Sequence, residues 1–179
     1  TVGVSNYPGG KVGESVAFYS PFLKGIFLDA RSEPAGLSPL LDDINNLKST
    51  IEHEDSHKQS GLGGKKDPLG HVQVYQNQIQ GKFFDNTTSD FKGLVSGNIA
   101  KYLTEEAKAI TDVGNGDFAQ LDSKITEVNK LSGKTGYTFS RIYTGSGSMG
   151  PEGQSYEVIA TKNAPPAPVK NTPKKKSGG

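Results

Sequence analysis

The segment His53-Glu54-Asp55-Ser56-His57 carries residue types that do chemistry, at a spacing that allows them to act together. In a helix, residues four apart sit one turn above each other, so both imidazoles leave the same face. Two ring nitrogens so placed can hold one Zn²⁺ at about 2.0–2.1 Å each. Glu54 adjoins the first of them, where a carboxylate can take the proton of a water activated by the ion. The chain has 3 histidines in all, and the third, His71, follows shortly downstream. A catalytic zinc takes three protein ligands and keeps a position open. His71 is the expected third ligand, with Asp67, Glu105 and Glu106 as carboxylate alternatives. Cysteine is absent, so thiolates cannot contribute, and an open site is easier to build than a closed one. The blander reading is a surface helix with two unrelated histidines. It leaves the interval and the intervening Glu unexplained in a chain so poor in His.

Metal-assisted amide hydrolysis is the reaction this set supports, with Glu54 as general base and then as proton donor to the leaving nitrogen. The developing oxyanion needs a further donor. Tyr75, Tyr137, Arg141 and Tyr143 are candidates, and Tyr75 is preferred because it would lie one turn from His71. For any one of these alone, packing or exposure on a sheet face is the ordinary role.

The surrounding elements must position these groups. Ser38-Pro39 offers a cap and a first-turn proline, and Leu37, Leu40, Leu41, Ile44, Leu47 and Ile51 follow at helical spacing. At about 100° per residue, His53 lies about 180° from Ile44, and His57 about 140° from it. Asp42, Asn46, Ser49 and Thr50 share that far side. The expected helix shows an apolar face to a core and a small polar face to a cleft. Ser60-Gly61-Leu62-Gly63-Gly64 should end it in a mobile loop, and Asp67-Pro68 should cap a second helix over Leu69 to Gln80. A reversal there could return His71 beside His53 and His57.

Upstream, residues 1–14 read as an irregular Gly-rich lead-in, and Ser15–Ser20 and Ile26–Arg31 as short strands. An edge strand at Ile26–Ala30 could receive a peptide by backbone hydrogen bonds. Downstream, Thr87-Thr88-Ser89-Asp90 opens a third helix, in which Gly93 and Gly97 suggest close approach by a neighbour. Phe118, Leu121, Ile125, Val128 and Leu131 mark a fourth helix closed by Gly133. Tyr137–Tyr143 and Tyr156–Ala160 read as a β-hairpin. Its connection, Gly145 to Gly150, matches G-x-G-x-x-G, but no helix follows to cap a pyrophosphate, so a dinucleotide site is not expected.

A chain of 179 residues, 32% hydrophobic, suggests one α+β domain of four helices packed with a short mixed or antiparallel sheet. Residues 1–161 are the expected catalytic domain, and 162–179 a disordered Pro/Lys-rich tail. That tail holds 5 Lys and no acid, leaving 15 basic against 19 acidic residues before it. A mildly acidic body argues against nucleic acid as partner. No apolar run approaches the roughly 18–20 residues of a membrane span, and no signal-peptide pattern opens the chain. The first residue is Thr rather than Met, as expected of a chain cut from something larger or matured by cleavage.

The His53–His57 pentapeptide on an amphipathic helix resembles the zincin metallopeptidases. That resemblance implies a zincin-like domain with zinc at His53 and His57, Glu54 as general base and a protein or peptide substrate. The sequence departs from the metzincin pattern, because positions 60 and 63 are Ser and Gly, and no helical gluzincin Glu is evident. A further likeness is to metallopeptidase-type toxin domains at the C-termini of bacterial RHS-like polymorphic toxins. It rests on the histidine helix, a Gly/Lys loop, then Asp67-Pro68-Leu69-Gly70-His71 with Val74-Tyr75. It supports His71 as a ligand, and implies secretion or delivery into a competitor cell and a cognate immunity protein. Three readings compete with a peptidase: a peptidoglycan amidase, a non-catalytic zinc-stabilised binding module, and a tail that binds acidic partners through Lys174-Lys175-Lys176.

Overall fold

Alternating apolar residues in two short stretches begin the fold: Ala17–Ser20 (β2) and Gly25–Asp29 (β3) pair antiparallel around a turn at 21–24. A computed structural model describes residues 2–5, 16–29, 38–63, 66–113, 117–146 and 154–165. The expectations for residues 6–15, for the loop at 30–37, for Gly147–Gly150 and for the tail from 166 onward lie outside these. The lead-in is not irregular throughout. Val2–Ser5 forms a strand (β1) that pairs parallel with β3, giving a mixed sheet in the order β1-β3-β2. Gly3 lies close over the Phe27 ring, where a Cβ would come within 3.2 Å. Beside so short an apolar pattern, Gly3 hid the strand. The expected edge strand at 26–30 is therefore corrected: β3 is central, with both backbone edges paired.

Helix α1, Ile44–Ser60, starts later than Ser38-Pro39 suggests. Those residues instead begin a 3-10 turn, Pro39–Asp42, and Asp43 caps the true helix by accepting from Asn45 N at 2.8 Å and Asn46 N at 3.0 Å. The face assignment also changes. Leu41 and Leu47 do pack with Ala17 and Leu28 of the sheet, but Ile44 is 55% exposed. The polar face is no open cleft wall: Asn46, Ser49, Thr50, His53 and Glu54 are all buried. Their burial is tolerated because each has a hydrogen-bond partner, mostly on another element. Asn46 Nδ2 donates to Leu40 O at 2.8 Å and Thr88 Oγ1 at 3.1 Å, and its Oδ1 accepts from Thr88 N at 3.0 Å. Thr50 Oγ1 donates to Asn46 O. Asn46→Ala should strand the Thr88 N–H and lower stability by about 2–3 kcal/mol, read as a shifted urea midpoint.

Helix α2, Pro68–Gln80, is capped by Asp67 as expected. Helix α3, Ser89–Val113, buries Phe91, Val95, Ile99, Leu103 and Ala107, steps of four that lay one stripe on the core. A side chain on Gly93 would meet the Tyr137 hydroxyl at 3.1 Å, whereas Gly97 faces open space, so only the first glycine serves close packing. Helix α4, Ala119–Asn129, adds Leu121, Ile125 and Val128. Gly133 does not close it. The chain passes through a turn into the short α5, Ser132–Thr135, and Gly136 at φ 77° ends that. Strands β4, Tyr137–Ser146, and β5, Gln154–Lys162, then form the hairpin. Phe139 and Val158 seal the main core, and Asn129 brackets Phe139 by bonding both its N–H and its carbonyl. Helix α1 thus runs between the mixed sheet and the larger helical core, its polar face against α2.

Candidate metal centre

His53 and His57 leave α1 on the side turned to α2. His53 is buried and His57 half-buried. Hydrogen bonds determine which nitrogen of each ring carries the proton. Gln78 spends its amide nitrogen on Ser49, donating to the carbonyl at 3.1 Å and to Oγ at 3.2 Å. Its Oε1 therefore accepts from His53 Nδ1, 3.1 Å away. His57 Nδ1 lies 2.8 Å from the Leu62 carbonyl, which can only accept. With both Nδ1 atoms protonated, each Nε2 presents a lone pair, and the two Nε2 atoms face each other 3.2 Å apart. Without a proton or cation between them, such a pair repels. Two ligands at about 2.0–2.1 Å from a tetrahedral ion are separated by about 3.3 Å, so the spacing fits a shared metal.

His71 enters from the first turn of α2. Its ring centroid lies 4.6 Å from that of His57 and 6.4 Å from that of His53. One donor atom from each of the three can be chosen so that all lie within 4.8 Å of one another. Burial holds the His53 imidazole well below its ordinary pKa, and His57 and His71 add to this. Burial also lowers His57. His71 is brought to about 4, first by burial and then by His57, with Asp67 opposing. All three are thus neutral at pH 7, the form that ligates metal.

Glu54 is only 6% exposed, and burial pushes its carboxyl up to about 7, partly offset by the Tyr19 N–H donated from β2. Tyr75 packs its ring 4.3 Å from that of His53. Burial, Tyr102 and Glu54 raise its phenol, and Asn98 hydrogen-bonds it, so the hydroxyl stays protonated and able to donate.

The other expected residues take other roles. Asp67 caps α2 through Oδ1 and holds Gly63 N through Oδ2, while Glu105 and Glu106 fall outside the histidine group. Arg141 is bound bidentately by Asp122 at 3.0 and 2.8 Å and lies over Phe118. Tyr143 packs on Tyr156, and Tyr137 turns its hydroxyl towards Gly93. Two neighbours of the site escaped sequence reasoning. Tyr102 of α3 lies flat on His71 at 4.1 Å and 9°. Gly63, read as part of a mobile loop, is buried against two of the imidazoles.

An α+β domain with a histidine-lined site able to hold a metal ion is the class that these features define. Residues 20–140, which include every residue of that site apart from the Tyr19 amide, match the family model for metallopeptidase toxin 2, and the chain belongs to this family. It is accordingly a metallopeptidase-type toxin domain, which implies a metal and a protein substrate. No curated protein and no solved structure matches the chain. Among the described residues, no helix is long and apolar enough to cross a membrane.

Proposed function

We propose that this chain hydrolyses peptide bonds with a zinc ion held by His53, His57 and His71, and that residues 1–161 are the catalytic unit. The observation that carries the reading is the pair of Nε2 lone pairs facing each other at 3.2 Å, with His71 closing the group. A zinc ion there supplies Lewis acidity, acidifying a water and polarising a carbonyl. Glu54, buried next to the first ligand, would take the proton of a water so activated and return it to the leaving nitrogen. Gln78 and the Leu62 carbonyl keep both α1 imidazoles in the ligating tautomer. Tyr75, protonated and against His53, is the donor for developing negative charge on the substrate oxygen. The family fits delivery of this activity into a target cell, where self-protection calls for a cognate immunity protein occluding the site.

Proteolysis of an unfolded protein substrate tests this. Activity should vanish on chelation and return with about one equivalent of zinc per chain. Cleavage that continues undiminished in excess chelator would overturn the zinc mechanism.

A further inference from the structure

The loop between α1 and α2 touches the histidines at several points, and together these form a clamp. We propose that Gly63 and Asp67 are positioning residues that set the His57 and His71 rings before any metal arrives. This inference rests on the zinc reading above.

Gly63 sits at φ 77°, in the left-handed region that glycine enters without penalty. A Cβ there would lie 2.5 Å from His57 Cε1, 2.9 Å from His57 Nδ1 and 3.1 Å from His71 Cγ. Only a residue without a side chain fits against both rings. The preceding residue, Leu62, gives the carbonyl that orients His57 Nδ1. Asp67 then fastens the loop to the helix that carries His71. Its Oδ2 accepts from Gly63 N at 3.1 Å and its Oδ1 from Gly70 N at 2.9 Å. Gly70 is needed for this, since a Cβ on it would run into the Asp67 carboxylate. The Tyr102 ring meanwhile lies flat on His71. One carboxylate thus couples the end of α1 to the start of α2 across the ligand pair, and Gly63-x-x-x-Asp67-x-x-Gly70-His71 is its sequence trace.

Capping can be separated from clamping. Asn caps a helix about as well as Asp, so Asp67→Asn keeps an oxygen for Gly70 N but offers an amide NH₂ where Gly63 N needs an acceptor. Its metal-free thermal midpoint should stay within a few degrees of wild type. Its zinc affinity, measured by competition with a chromophoric chelator, should fall about 10–100-fold, as for other supports of metal ligands. Gly63→Ala should lose at least as much. The visible bands of the Co²⁺-loaded variants should change shape, reporting an altered ligand set. In the metal-free wild type the Gly63 amide should be protected from hydrogen exchange, and in Asp67→Asn it should not. If wild type binds zinc and Asp67→Asn and Gly63→Ala bind it equally well with unchanged Co²⁺ bands, the clamp is refuted and the zinc reading stands. If wild type binds no zinc, both are refuted. Should Gly63→Ala fail to fold, the exchange and affinity of Asp67→Asn decide alone.

Discussion

Glu54→Gln is expected to cut hydrolysis of a protein substrate about 10²–10⁴-fold at neutral pH while leaving zinc bound. The same change should stabilise the metal-free protein in alkaline solution. Glu54 in the fold holds its proton up to about 7, against an ordinary value of 4.5. A raised carboxyl contributes stability that is complete below the unfolded value and is lost as pH rises through the folded one. Above 7 the wild-type protein therefore keeps a charge in a buried place, where the Tyr19 N–H donates to it. Glutamine keeps the neutral form at every pH and can still accept from Tyr19. The difference amounts to on the order of 3 kcal/mol. Urea midpoints of chelator-treated wild type and variant should nearly coincide near pH 4 and separate above pH 7, the variant being higher. Midpoints that do not separate would mean that the carboxyl is better solvated than its burial implies. Undiminished turnover would remove Glu54 from the chemistry. Gain of stability together with loss of activity is what a strained catalytic carboxylate should produce.

Periodicity made much of the architecture legible. Helices α2, α3 and α4 and the terminal hairpin follow from apolar steps of three and four or of two, and from caps such as Asp67-Pro68. The histidine pair was legible because its interval equals the helical turn. What escaped depended on tertiary partners. Strand β1 is too short to show alternation, and its glycine matters only because Phe27 lies beneath it. The buried polar face of α1 could not be foreseen from a helix wheel, since its burial depends on Gln78 and Thr88 from other elements supplying the hydrogen bonds. The loop at Gly61–Gly63 has the composition of a flexible linker. Gly63 is nonetheless held by Asp67 and by the two rings against which it is wedged. Tyr102 follows the core stripe of α3 in sequence, and only the position of α2 turns its face to His71.

Removing ligands one at a time should separate the three histidines by their surroundings. His53→Ala deletes the most enclosed donor and frees Gln78 Oε1 from its ring partner, so both zinc and the order of α1 against α2 should suffer. His71→Ala leaves the α1 pair intact with its 3.2 Å spacing and both Nδ1 anchors, so the fold and a weakened site should persist. Structural zinc sites of four ligands bind with about 10–16 kcal/mol, or about 2.5–4 kcal/mol per ligand, so His71→Ala should cost roughly 10²–10³ in zinc affinity. Metal content after dialysis against a buffered zinc solution measures this directly. The gap that His71 leaves is faced by the Tyr102 ring and the Gly63 backbone, a slot shaped for a flat heterocycle. Added imidazole should therefore recover part of the lost affinity in His71→Ala and little in His53→Ala, where burial blocks entry. Full zinc retention by His71→Ala without imidazole would exclude His71 from the ligand set and leave the α1 pair to recruit its third ligand from elsewhere in the chain.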